Sequence, residues 1–103
     1  MKLITKELET KLPALDTETN DDSLVLVHYF NPYGGGDWYG MTYNPETREY
    51  FGYVDIGMDN ELGYFSLDEL ESLNVNPFGG NMKMGIERDL YWGVKTLREV
   101  KER

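Results

Sequence analysis

The chain has 103 residues, with ten basic residues against nineteen acidic ones, a formal net charge of −9 and no cysteine. That length suits one domain, residues 1–103, with its own core, and the lack of cysteine excludes a disulfide framework, a thiolate zinc site and a cysteine nucleophile. The charge is uneven: residues 31–73 set Arg48 alone against nine acids, so the middle of the chain repels a phosphate backbone and direct nucleic-acid binding there is not expected.

The opening Met1–Glu7 carries charges where a signal peptide needs its apolar stretch. No run of residues approaches the ~18 apolar positions of a membrane span. The expectation is a soluble, cytoplasmic protein with no membrane partner. Thr5 to Leu12 reads as a short helix, with Thr5 as N-cap and Leu8 and Leu12 on one face. Pro13 ends it, because a proline inside would lose a backbone hydrogen bond. Asp16 to Ser23 is polar and aperiodic, and reads as a loop.

Leu24 to Phe30 is β-branched and aromatic, and reads as one buried strand. The run Asn31-Pro32-Tyr33-Gly34-Gly35-Gly36 breaks it, a second strand follows from Asp37 to Tyr43, and Asn44-Pro45-Glu46-Thr47-Arg48 is a turn. A third strand runs from Glu49 to Ile56. Short connections make these strands an antiparallel meander. Symmetric turns would set Gly40 opposite Gly52, Trp38 opposite Val54, Tyr39 opposite Tyr53, Met41 opposite Phe51, and His28 beside Gly40. One face then carries Leu24, Leu26, His28, Phe30, Trp38, Val54 and Ile56, and the other Val25, Val27, Tyr29, Tyr39, Met41, Tyr43, Phe51, Tyr53 and Asp55. A slip of one residue exchanges the faces.

Leu62 to Phe65 reads as a short strand running into a helix that ends near Leu73. Ser66 with Glu69 is a capping-box pattern, and Asp68 and Glu69 suit the positive end of the helix dipole. Asn74 to Asn81 reads as a loop and Met84 to Trp92 as a further strand. Thr96 with Glu99 repeats the box and starts a C-terminal helix. The expected class is α+β, an antiparallel meander sheet of three to five strands with short N-terminal, middle and C-terminal helices.

Few chemistries fit. The triple glycine at 34–36 leads into a strand, whereas a phosphate cradle needs a helix N-terminus directly after it. His28, the one histidine, has apolar and aromatic neighbours and reads as a core residue with one hydrogen bond. Asp55, Asp59 and Glu61 fall between the third strand and the capped helix, at a spacing that matches no calcium loop. No cofactor or resident metal is expected. The eight tyrosines suit a protein interface better than base stacking, since the sheet lacks the positive charge that accompanies stacking sites.

Three segments carry a resemblance: Trp38-Tyr39 through Phe51-Gly52-Tyr53, Glu61 to Glu71 (ELGYFSLDELE), and Ile86-Glu87-Arg88-Asp89-Leu90. With the opening Met1–Thr5 and Leu12-Pro13 they resemble a short bacterial domain family of unknown function, over nearly the whole chain. The loop 74–81 is longer here than in a typical member. The resemblance implies a setting on plasmids, conjugative elements and phage-like islands, and brings no catalytic residues. In that setting the expected function is a non-enzymatic acidic protein that binds a basic surface on a nucleic-acid-binding defence protein, such as an RNA-guided nuclease, and inhibits it as an anti-CRISPR protein does. The interaction residues expected are Tyr39, Tyr53, Asp55, Asp59, Glu61, Asp68, Glu69 and Glu71. A small metal-dependent hydrolase or nuclease is one alternative. An accessory module in plasmid maintenance or transfer, self-associating as a homodimer through an open sheet edge, is the other.

Overall fold

The computed structural model describes residues 2–75 and 84–103. The described elements are α1 (Lys6–Lys11), β1 (Leu24–Val25), β2 (Val27–Phe30), β3 (Asp37–Asn44), β4 (Glu49–Ile56), β5 (Asp59–Ser66), α2 (Leu67–Ser72), β6 (Asn74–Val75), β7 (Met84–Gly85), β8 (Glu87–Arg88), β9 (Lys95–Thr96) and α3 (Leu97–Lys101). Five strands form one antiparallel sheet in the order β5-β4-β3-β2-β8, while β1 with β9 and β6 with β7 form two-stranded ribbons. The class is α+β, as the sequence pattern implies. No helix among the described residues is long and apolar enough to cross a membrane.

The helix ends follow from their caps. Thr5 accepts from the Leu8 amide, Ser66 from the Glu69 amide, and Thr96 with Glu99 completes a capping box in both directions. The turn between β3 and β4 is held by Asn44, whose Oδ1 accepts from the Glu46 amide at 2.9 Å. Its carbonyl also accepts from the Arg48 amide at 2.7 Å. Arg48 sits in the left-handed region at φ 57°, a conformation that costs an ordinary residue about 1 kcal/mol. Its guanidinium offsets that cost by bonding Glu71 at 2.8 and 3.0 Å and also Asp68, so the turn is tied to α2.

Four expectations are corrected. The strand expected over Leu24–Phe30 is interrupted at Leu26, whose amide bonds the Gly40 carbonyl at 3.0 Å. Val25 and Val27 therefore enter different cores. The first hairpin closes with Asn31 N–H on Gly36 O at 3.1 Å, so His28 pairs with Tyr39 and Tyr29 with Trp38. That is one residue away from the symmetric count, and it moves His28 and Phe30 to the face of Tyr39 and Tyr53. The β3–β4 register agrees from Trp38↔Val54 to Gly40↔Gly52, then a bulge shifts it to Thr42↔Phe51. Met41 therefore does not face Phe51. The strand expected over Met84–Trp92 is two short pieces in different sheets. From residue 76 on, the loop expected at 74–81 lies outside the described residues.

The sheet separates two cores. Leu3, Leu12, Val27, Tyr29, Tyr43, Tyr50, Phe65, Leu67, Leu70 and Ile86 pack on the face covered by α1 and α2. Val25, Tyr39, Met41, Leu97 and Val100 pack on the face covered by α3. In the first core the Tyr29 hydroxyl donates to Leu3 O at 2.6 Å and meets the Tyr50 hydroxyl at 2.7 Å. The Tyr29 proton is committed to the carbonyl, so Tyr50 donates to Tyr29. Burial raises the pKa of both hydroxyls.

Gly40, Gly52 and Gly63 lie opposite one another across β3, β4 and β5. A Cβ at Gly40 would stand 2.7 Å from Val27 Cγ1, and one at Gly52 would strike the Tyr39 carbonyl oxygen, whereas one at Gly63 would meet nothing within 4 Å. Gly52→Ala should therefore cost about 1–3 kcal/mol or more, while Gly63→Ala should stabilise the strand by roughly 0.5–1 kcal/mol. Urea melts of the two variants check this; equal midpoints would show that the crossing is not tight.

Candidate functional site

Two places on the molecule concentrate chemistry. The first is the β4–β5 hairpin. Its strands stay in register from Glu49↔Ser66 to Ile56↔Asp59, joined by Gly57 and Met58. Gly57 takes φ 87°, the positive value a two-residue hairpin requires at its first position. The acids expected in a loop therefore stand on strands: Asp55 ends β4, and Asp59 and Glu61 begin β5.

The register divides the expected interaction residues. Tyr53 and Asp55 lie on the α3 side of the sheet, where they pair with Leu62 and Asn60. Asp59 and Glu61 pair with Ile56 and Val54, and lie on the opposite side. Tyr39 is buried, and its ring stacks on His28 at 4.6 Å between centroids. Asp68 and Glu71 are engaged by Arg48. Glu69 is exposed on α2, and its amide is held by the Ser66 cap. Asp55, Asp59 and Glu61 make no salt bridge with any described residue. In the orientation that suits both neighbours, the Asn60 amide donates to Asp55 Oδ1 at 2.6 Å. Around these carboxylates Ile56, Met58, Leu62 and Tyr64 are exposed, Met58 completely.

The second place is His28. Its Nε2 lies 2.7 Å from Asp37 Oδ1 and its Nδ1 3.0 Å from Asp89 Oδ2. The ring also lies against Tyr39, Phe30 and Trp92. Trp92 is oriented by its indole N–H, which donates to Val25 O at 2.9 Å, and Lys95 and Arg103 sit over its ring. Only an imidazolium donates to both carboxylates at once, because the neutral ring has a single N–H. The expectation of one hydrogen bond is thus corrected to two, and the partners come from the start of β3 and the residue after β8. The signal in sequence was thin: Asp89 is 61 residues away, and nothing in the pattern joins it to His28.

A cleft of about 370 Å³ opens beside this clamp, lined by Phe30, Asn31, Gly34–Gly36 and the three clamped residues. Both His28 ring nitrogens lie within hydrogen-bond distance of a carboxylate, Asp37 at one and Asp89 at the other. Among the described residues no group of three or more acidic or histidine side chains is placed to hold a metal ion. A second cleft, of about 690 Å³, lies at the other end of the sheet, with Glu9, Asp16 and Glu46 among apolar and tyrosine walls.

A family model described as a protein of unknown function, DUF2958, matches residues 3–99, and the chain belongs to that family. No curated protein and no solved structure matches it.

Burial works to raise the Asp89 carboxyl, but the hydrogen bonds from His28 and from the Tyr91 amide hold it below the ordinary aspartate value. A folded-state value below the unfolded one contributes stability above roughly pH 4, which is lost as pH falls through the folded value. Asp89→Ala should cost about 1–3 kcal/mol at pH 7, the worth of a hydrogen bond to a charged partner. The gap between variant and parent should narrow near pH 3, and urea titrations at both pH values check it. A cost that does not change with pH would mean that Asp89 acts by packing alone.

Proposed function

We propose that this chain is a non-enzymatic interaction protein that docks the β4–β5 hairpin onto a basic surface of a nucleic-acid-binding protein and blocks that surface. One observation carries this reading: Asp55, Asp59 and Glu61 stand unpaired by any described cation, beside exposed Ile56, Met58, Leu62 and Tyr64. From residue 49 to residue 71 the sequence has no basic residue at all. Apolar anchors within a charged surface are the usual composition of a binding patch, and carboxylates facing a basic groove set orientation and speed encounter. The groove that holds guide RNA and target strand in an RNA-guided nuclease is strongly positive, so a row of carboxylates competes there with phosphates. The narrower form, an inhibitor of a host-defence nuclease, rests on the mobile-element setting that the family resemblance implies. The hydrolase alternative has no comparable support, since the hairpin carboxylates are divided between two faces of the sheet.

Capture of partners from the native host, followed by titration of the purified partner, tests the reading. The affinity should fall with rising salt. Reversing Asp55, Asp59 and Glu61 to lysine should weaken binding at least about tenfold with the circular dichroism spectrum unchanged, since rim and partly buried charge pairs each contribute to binding. Unaltered affinity in the reversed variant would rule out docking through the hairpin.

A further inference from the structure

Among the described residues the outer edge of β5 is open, and its hydrogen-bonding groups can be assigned. Leu67 N–H bonds Arg48 O at 2.9 Å, so the 48/67 pair sits at a hydrogen-bonded position of the ladder, while the Arg48 amide is used by Asn44 O in the turn. Alternation along the antiparallel ladder then turns the amides of Asp59, Glu61, Gly63 and Phe65 toward β4. The N–H and C=O groups of Asn60, Leu62 and Tyr64 point away from the sheet. Among the described residues no strand pairs with them, since β5 is the last strand of the order.

Exposed edges are normally blunted by a proline, a lysine, a bulge or shortness. The opposite edge strand, β8, spans only Glu87–Arg88. By contrast β5 has eight residues, no proline, no basic residue and no shift of register. The charges it carries are Asp59 and Glu61, both acidic and both on the side of Val54 and Ile56. Leu62 and Tyr64 are exposed on the other side. An acidic strand is repelled from such an edge, and so is a second copy of this chain with its net charge of −9.

We propose that β5 is a pairing edge that receives an extended, basic strand of the protein partner, by addition to the sheet. The inference rests on the functional reading above and supplies its mode of attachment. The partner strand bonds the outward amides and carbonyls of Asn60, Leu62 and Tyr64. It sets lysine or arginine across from Asp59 and Glu61, and apolar side chains across from Leu62 and Tyr64, because alternate residues of the added strand face opposite sides. Tyr64 also lines the cleft that holds Glu9, Asp16 and Glu46.

The probe is a capped octapeptide of alternating lysine and valine, added to the full chain at low salt, with alternating glutamate and valine as control. Amide exchange followed by NMR should slow at least tenfold at Leu62 and Tyr64 on adding the basic peptide, and stay unchanged at Glu61 and Gly63. Leu62→Pro removes an outward donor without touching the bonds to β4, and should lower peptide affinity at least tenfold; Tyr64→Pro serves as a second variant should the first unfold. Binding retained in both proline variants but lost on reversal of Asp59 and Glu61 overturns strand addition and leaves charge docking standing. Binding unaffected by either change overturns both. Equal protection by the acidic peptide, or protection that rises with protein concentration alone, overturns the assignment to a basic partner, the second result in favour of self-pairing.

Discussion

The close crossing of β3 and β4 at Gly40 and Gly52 governs the rest of the structure. With no side chain on either residue, the two backbones approach so closely that an added Cβ at Gly52 would meet the Tyr39 carbonyl oxygen. The Tyr50 ring and Val27 then occupy the space over Gly40. The bulge that follows moves Tyr43 opposite Tyr50, which places both rings in the core beneath α1 and α2. A regular ladder would leave Met41 opposite Phe51 and carry Tyr43 to the other face. The extra residue switches the phase of β3: Tyr39 and Met41 pack on the α3 side, and Tyr43 on the opposite side.

Charge is distributed by the same geometry. The acidic middle of the chain divides into carboxylates that the fold uses and carboxylates that it leaves free. Arg48, the one basic residue of that region, is placed by its left-handed turn to engage Asp68 and Glu71. Asp37 is engaged by His28. On the N-terminal side, Asp21 and Asp22 are held by Lys101 and Arg98 of α3, which ties the polar loop to the last helix. Of the acids without an ion pair among the described residues, Asp55, Asp59 and Glu61 gather at the far end of β4 and β5, while Glu46, Glu49 and Glu69 lie at the β3–β4 turn, at the start of β4 and on α2. Exposed ion pairs of these kinds add little individually, but they separate structural from available charge.

Much of the local structure was legible in the sequence. The caps at Thr5, Ser66 and Thr96, the turn after Asn44 and the Gly40–Gly52 pairing each depend on a few adjacent residues or on a symmetric count, and each is present. The failures share a cause. The phase of β2 depends on how the glycine-rich loop closes, and a six-residue run with Asn31, Pro32 and three glycines admits several closures. The β4–β5 hairpin was missed because Gly57-Met58 lacks the asparagine or aspartate that signals a tight turn, and because its exposed strand does not alternate in hydropathy. The clamp on His28 joins residues 28, 37 and 89 through tertiary structure alone, and no local pattern announces it. As a result the expected interaction set mixed two faces of the sheet, and it included Tyr39, which belongs to the core.

The position of the free carboxylates argues against their serving solubility alone. A solubilising surface needs charge spread evenly, and it has no use for a fully exposed methionine or a long unguarded edge beside that charge. Here the two coincide on one hairpin. An open edge without charge would pair with any strand and invite aggregation, and charge without an edge would attract basic surfaces in any orientation. On the proposed reading, the two together would restrict a partner by sign and by backbone direction at once, since an added strand would have to be basic on one side and apolar on the other to fit both faces of β5. The remaining structure is consistent with that division of labour: the helices, the two cores and the His28 clamp lie toward the β2 side and the strand ends, and leave the outer half of the hairpin uncovered among the described residues.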